Sequence, residues 1–134
     1  MPDQTFDLFL ARREAAASAY VRGDGAPLEA MLPRSGPASF HSPTGDTVTG
    51  AGEVTKRYLS DAALFGEDGI SRFDIIQSGA SGDLGYWTGF QVATVTLGNP
   101  PKQVDMRIRV TEIFRRIDGD WKLVHRHADS PAEG

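Results

Sequence analysis

Phe6, Phe9, Leu10, Ala17, Tyr20 and Val21 recur at spacings of three and four, while Arg12, Arg13 and Glu14 lie toward the opposite side. This pattern predicts a helix over about residues 5–22, closed by Gly23, which can take the left-handed conformation that ends helices. Asp24 can cap a short second helix through Pro27, Leu28, Met31 and Leu32. The breaker cluster Pro33 to Pro37 follows, and Ala38 to Ser42 is short and apolar enough to be a strand. Pro43, Thr44, Gly45 and Asp46 then read as a turn. Val54, Tyr58, Ala62 and Phe65 restore the helical period and predict a third helix over about 50–65, stopped by Gly66 and Gly69.

Beyond Ser71 the period changes to two. SRFDIIQS, LGYWTGFQVATVTL, QVDMRIRVTEIFRRI and DWKLVHRHA read as four strands, broken at Gly79 to Asp83, at Gly98 to Pro101 and at Asp118–Gly119. Three helices ahead of an antiparallel meander, with one strand between the second and third helices, make an α+β fold. Long strands of this kind must curl around the helices, and a gap left at the open end becomes a cavity. At 134 residues the chain is expected to be a single domain with one core, and residues 129–134 read as a flexible tail.

Composition narrows the function classes. A net charge of −4 offers no electrostatic footprint for nucleic acid. The absence of cysteine removes disulfides, thiolate nucleophiles and cysteine-held metals. The start, MPDQTFDLFLARRE, lacks the basic and continuously apolar character of a secretory signal, and no stretch reaches the ~20 apolar residues that span a bilayer. The expectation is a cytoplasmic protein with no membrane partner. Glycine-rich phosphate loops, GxSxG and HExxH are all absent from the sequence.

The Asp118–Gly119 pair is a strong type I′ hairpin signal, and it sets a register. With Ile117 facing Asp120, an uninterrupted ladder puts Phe114 opposite Leu123, Glu112 opposite His125 and Val110 opposite His127. Alternation then turns Val110, Glu112, Phe114, Trp121, Leu123, His125 and His127 inward, with Lys122 and Arg126 outward. A carboxylate facing an imidazole on an apolar surface is either a satisfied buried pair or an acid/base centre, because burial and partner charge pull each pKa in opposite directions. Glu112 and His125, with His127, are therefore the candidate catalytic residues. Tyr58, Trp87 and Gln91 are expected along the same cavity, and His41 on the outer side of its strand. His125, His127 and Asp129 also have a spacing that metals use, but each has a simpler hydrogen-bonding role. The expectation is therefore no metal and no cofactor.

RVTEIFRRIDGDWKLVHRHAD, SPTGDTVTGAGEV, GDLGYWTG and YVRGD together resemble the SnoaL-like (DUF4440) proteins of the nuclear transport factor 2 superfamily, which includes ketosteroid isomerase. The resemblance spans nearly the whole chain and implies a cone that dimerises through its sheet. The tyrosine and aspartate that ketosteroid isomerase uses look like Ala16 and Ser42 here, so that isomerisation is disfavoured and Ser42 is expected only as a ligand-binding residue. The closing strands also look like the association domain of calcium/calmodulin-dependent protein kinase II, whose pocket is lined by arginines. One of those arginines matches Glu112, which implies a neutral or cationic ligand. Two functions follow from the resemblance. One is a pocket for a small, largely apolar molecule with isomerase, cyclase or dehydratase chemistry. The other is a non-catalytic ligand-binding or homo-oligomerisation module.

Overall fold

A computed structural model of the chain describes residues 5–131. Three helices, α1 (Phe6–Tyr20), α2 (Ala26–Glu29) and α3 (Ala51–Ala62), pack against six strands: β1 (Ser39–His41), β2 (Thr47–Thr49), β3 (Ile70–Ser81), β4 (Leu84–Leu97), β5 (Lys102–Ile117) and β6 (Asp120–Asp129). The strands form one sheet in the order β2-β1-β6-β5-β4-β3. It is antiparallel except where β1 runs parallel to β6. This is an α+β fold, as expected from the sequence. Thr47–Thr49 is a strand that the sequence pattern left unassigned, too short for alternation to reveal; it returns from the Pro43 to Asp46 turn to pair with β1. Residues 132–134, half of the expected tail, lie outside the described residues, and Asp129 itself still belongs to β6.

Local chemistry accounts for the element ends. Thr5 caps α1 by accepting a hydrogen bond from the Leu8 amide at 3.2 Å. The Asp118–Gly119 turn takes the positive φ values of 52° and 84° that a two-residue hairpin demands. α1 lies across the concave face of the sheet and buries Phe6, Phe9, Leu10, Ala16 and Ala17. The Phe6 ring meets Trp121 edge-on at 5.1 Å and Phe9 meets Phe114 at 5.2 Å, the geometry that aromatic quadrupoles favour. Glycine permits two close approaches. A β-carbon on Gly85 would lie 2.6 Å from the Phe6 ring, and one on Gly89 would strike the Asp74 carbonyl oxygen, where β3 bulges against β4 between Ile75 and Gln77.

The ladder between β5 and β6 is interrupted. Phe114 faces Leu123 as the turn dictates, but Ile113 faces His125, so Val124 is an extra residue in the strand. From there on the β6 side chains change sides. Glu112 pairs with Arg126 and Thr111 with His127. The Glu112–His125 pairing expected of a regular ladder is thereby corrected: a one-residue bulge reverses which side chains face the core. Arg126 turns inward, and His125 and His127 join Ile113 and Thr111 on the outer face.

Candidate functional site

Glu112, on β5, is fully buried, at 0% exposure, and its hydrogen-bond donors come from three other elements. From α1, Arg13 donates through Nε to Oε1 at 3.0 Å and through Nη2 to Oε2 at 2.8 Å. From β6, Arg126 donates through Nη1 to Oε2 at 2.6 Å. From β4, the Trp87 indole donates to Oε1 at 2.8 Å. Burial alone would raise the Glu112 pKa, but the charges and hydrogen bonds of Arg13 and Arg126 outweigh it and hold the carboxyl at about 2. Glu112 is therefore an ionised acceptor at neutral pH and does not carry a proton.

The network continues outward from Arg126, which donates through Nη2 to Oε1 of Gln91 at 2.6 Å. Gln91 in turn donates to the Ser71 hydroxyl at 2.9 Å, and Ser18 on α1 donates to the Ser71 carbonyl at 2.8 Å. Gln91 thus has the partners that an interior amide requires. Each guanidinium is held in a fixed plane, Arg13 by the bidentate carboxylate and Arg126 by a carboxylate on one side and an amide on the other.

Beside this cluster lies a cavity of about 160 Å³. Its apolar wall comes from Ala17 on α1, Leu28 on α2, Phe40 on β1, Ala93 on β4 and Ile108 on β5. Arg13, Tyr20, Tyr58, Gln91 and Arg126 supply its polar side, and Ser42, Pro43 and Asp61 stand at its rim. Among the described residues, Nη1 of Arg13 and the hydroxyl of Tyr58 are buried donors without a protein partner. Burial pushes both the Tyr58 and the Tyr20 phenols well above their ordinary range, so both stay protonated and remain donors. The Arg13 guanidinium also lies 5.5 Å over the Phe73 ring.

The residues expected at the site divide into two groups. Tyr58 and Gln91 line the cavity, as does Ser42, whose hydroxyl is occupied by Thr44 and Asp46 in the rim turn. Trp87 lies in the core instead, stacked on Phe73 at 4.3 Å with its indole spent on Glu112. Glu112 sits behind the two arginines. His125 and His127 are on the other side of the sheet. There His41 places its ring 5.1 Å from each of them, with His125 Nδ1 2.8 Å from the Ser39 hydroxyl and His41 Nδ1 2.8 Å from that of Thr47. Among the described residues no three His, Cys, Asp or Glu side chains are arranged to hold a metal ion.

Sequence reading missed Arg13 and Arg126, the two residues that define the polar end. Arg13 did leave a signal, because it falls three residues after Leu10 and four before Ala17, inside the apolar stripe of α1. A charged residue in such a stripe calls for a buried countercharge. Arg126 left none, since only the bulge turns it inward.

The outer sheet face carries exposed apolar side chains from neighbouring strands: Ile76 on β3, Leu84 and Tyr86 on β4, and Ile113 on β5. No helix among the described residues is long and apolar enough to cross a membrane.

Comparison with known proteins agrees with this architecture. The family model for the SnoaL-like domain matches residues 10–133. No curated protein matches the sequence. Among solved structures, a candidate dehydratase of the nuclear transport factor 2-like family from Streptomyces avermitilis superposes with a TM-score of 0.76 at 21% identity, over 95% of this chain and 96% of that one. A nuclear transport factor 2-like superfamily protein from Salmonella enterica serovar Typhimurium gives 0.76 at 16% identity, over 92% and 87%. The CaMKII hub from S. rosetta gives 0.70 at 18% identity, over 98% and 100%. At these identities the likeness establishes the fold alone.

Proposed function

The chain belongs to the SnoaL-like family, and on that premise we propose that it binds a small, largely apolar molecule in the cavity between α1 and the sheet. The observation that carries this reading is the cavity itself, about 160 Å³ of apolar-walled space beside polar groups that the fold holds in place. Small-molecule sites have this character, an apolar wall with a few fixed polar groups. The volume suits a ligand about the size of one six-membered ring, since an apolar cavity of about 150 Å³ accommodates benzene.

Binding is favoured over acid/base chemistry at Glu112, because two guanidiniums hold that carboxylate ionised. The test is to fill the space. Ala17→Leu places an isobutyl group into the wall. NMR titration with a ring-sized apolar probe such as benzyl alcohol should then shift the Tyr58 and Gln91 resonances in the wild type and leave them unmoved in the variant. Equal shifts in both proteins would place the binding elsewhere.

A second reading, homo-oligomerisation, is favoured by the apolar side chains on the outer face. Ile113 is 38% exposed and Leu84 is 55% exposed, and they lie on adjacent strands, with Tyr86 directly opposite Ile113. A second copy of the chain covering this face would form a two-fold interface, in which each residue meets its symmetry partner's patch. This role and ligand binding use opposite faces of the sheet and are compatible.

A further inference from the structure

The cavity binds small molecules in the reading above, and the charges around it specify one class. We infer that its ligand is a small monocarboxylate, seated with its carboxylate toward Arg13 and Tyr58 and its hydrocarbon part against Leu28, Phe40 and Ile108.

Charge balance carries the argument. Arg13 and Arg126 have side chains only 3% and 13% exposed, and the one buried acid between them is Glu112. Two cations against one anion leave one positive charge in a region of low dielectric. Such a charge is costly to bury without compensation. Among the described residues that line the cavity the one carboxylate is Asp61, which is engaged by Arg57 at 3.0 Å, while Glu14 is spent on the Phe73 amide at 2.7 Å. A ligand carboxylate would complete the balance.

Hydrogen bonding points the same way. Arg13 uses Nε and Nη2 on Glu112 and leaves Nη1 without a partner, and the Tyr58 hydroxyl is likewise unpartnered. Both residues form part of the cavity wall, and both orphaned groups are donors. A cationic ligand would bring more donors to donors. A carboxylate offers two acceptor oxygens to a guanidinium whose plane the protein has already fixed. The expectation of a neutral or cationic ligand, which rested on Glu112 alone, is reversed once its two arginine partners are counted. The remaining wall is hydrocarbon, and the volume leaves room for a ring or a short branched chain and no more.

Isothermal titration calorimetry with benzoate and isovalerate against their neutral counterparts benzamide and isovaleramide tests this at pH 7. The expected result is that at least one carboxylate binds about tenfold or more tightly than its amide, the increment of a hydrogen bond to a charged group. Tyr58→Phe should weaken carboxylate binding several-fold and amide binding less, since a neutral amide oxygen accepts the weaker hydrogen bond. If the amides bind as tightly as the acids, the cavity reading stands and the carboxylate assignment falls. If neither pair binds, both readings fall. If the carboxylates bind but Tyr58→Phe has no effect, the proposed seat is wrong.

Discussion

Nη1 of Arg126 stands 2.6 Å from Oε2 of Glu112, across a strand pair in which one additional residue, Val124, separates them from the turn register. Without the bulge an imidazole would occupy that position. With it, the carboxylate acquires a second permanent cation and becomes an anchor for two guanidiniums. The chemistry of the polar cluster therefore depends on a single residue of strand length.

Replacing Glu112 by Gln should be severe. It leaves two guanidiniums buried with no countercharge, and breaking a buried ion pair from one side costs about 3–5 kcal/mol. Urea denaturation should show a loss of this size. A loss below about 1 kcal/mol would mean that solvent reaches the cluster and screens it.

Acid should destabilise the protein through the same residue. Glu112 has a folded pKa of about 2, below its ordinary 4.5, so the unfolded chain binds the proton more readily. The stability it contributes is complete above about pH 4.5 and is lost as pH falls toward 2. Unfolding free energies measured across this window should slope steeply in the wild type and less so in Glu112→Gln.

His125 adds a separate dependence at milder pH. Burial first, then the nearby His41 and His127, lower its pKa from 6.5. A depressed base is protonated more readily in the unfolded chain, so the stability linked to neutral His125 is present above about pH 6.5 and declines below it. His125→Asn should flatten the stability profile just below that pH. An unchanged slope would mean that His125 does not carry the dependence.

Tyr58→Phe, which should weaken carboxylate binding, is expected to leave the free protein no less stable. The hydroxyl is buried without a partner, so its removal relieves a desolvation penalty and breaks no hydrogen bond. Thermal unfolding should give a midpoint equal to or above that of the wild type. A fall of several degrees would reveal a partner for the hydroxyl, such as an ordered water.

The outer face makes its own prediction. Ile113→Glu places a charge in the exposed apolar patch without touching the concave core. Light scattering should give the mass of an oligomer for the wild type and of a monomer for the variant, with circular dichroism unchanged. A monomeric wild type at high concentration would remove the assembly reading.

Periodicity alone determined most of the fold. The 3.6-residue stripe of Phe6, Phe9 and Leu10, the alternation from Trp87 to Val95 and the Asp118–Gly119 turn are local signals, each set by which side chains must leave water and which backbone angles a residue tolerates. They also placed Glu112, Phe114 and Leu123 inside, because those positions lie between the turn and the bulge or on the unbulged strand. What the sequence could not decide was the partner of Glu112. Nothing local to Leu123, Val124 and His125 marks a bulge, since an extra residue changes no residue's own preference; it is visible only in the register of β6 between β5 and the parallel β1. Beyond that point every side chain of β6 changes face. The histidines left the site and Arg126 entered it, and only the tertiary structure could bring Arg13, 99 residues away in sequence, to the same carboxylate.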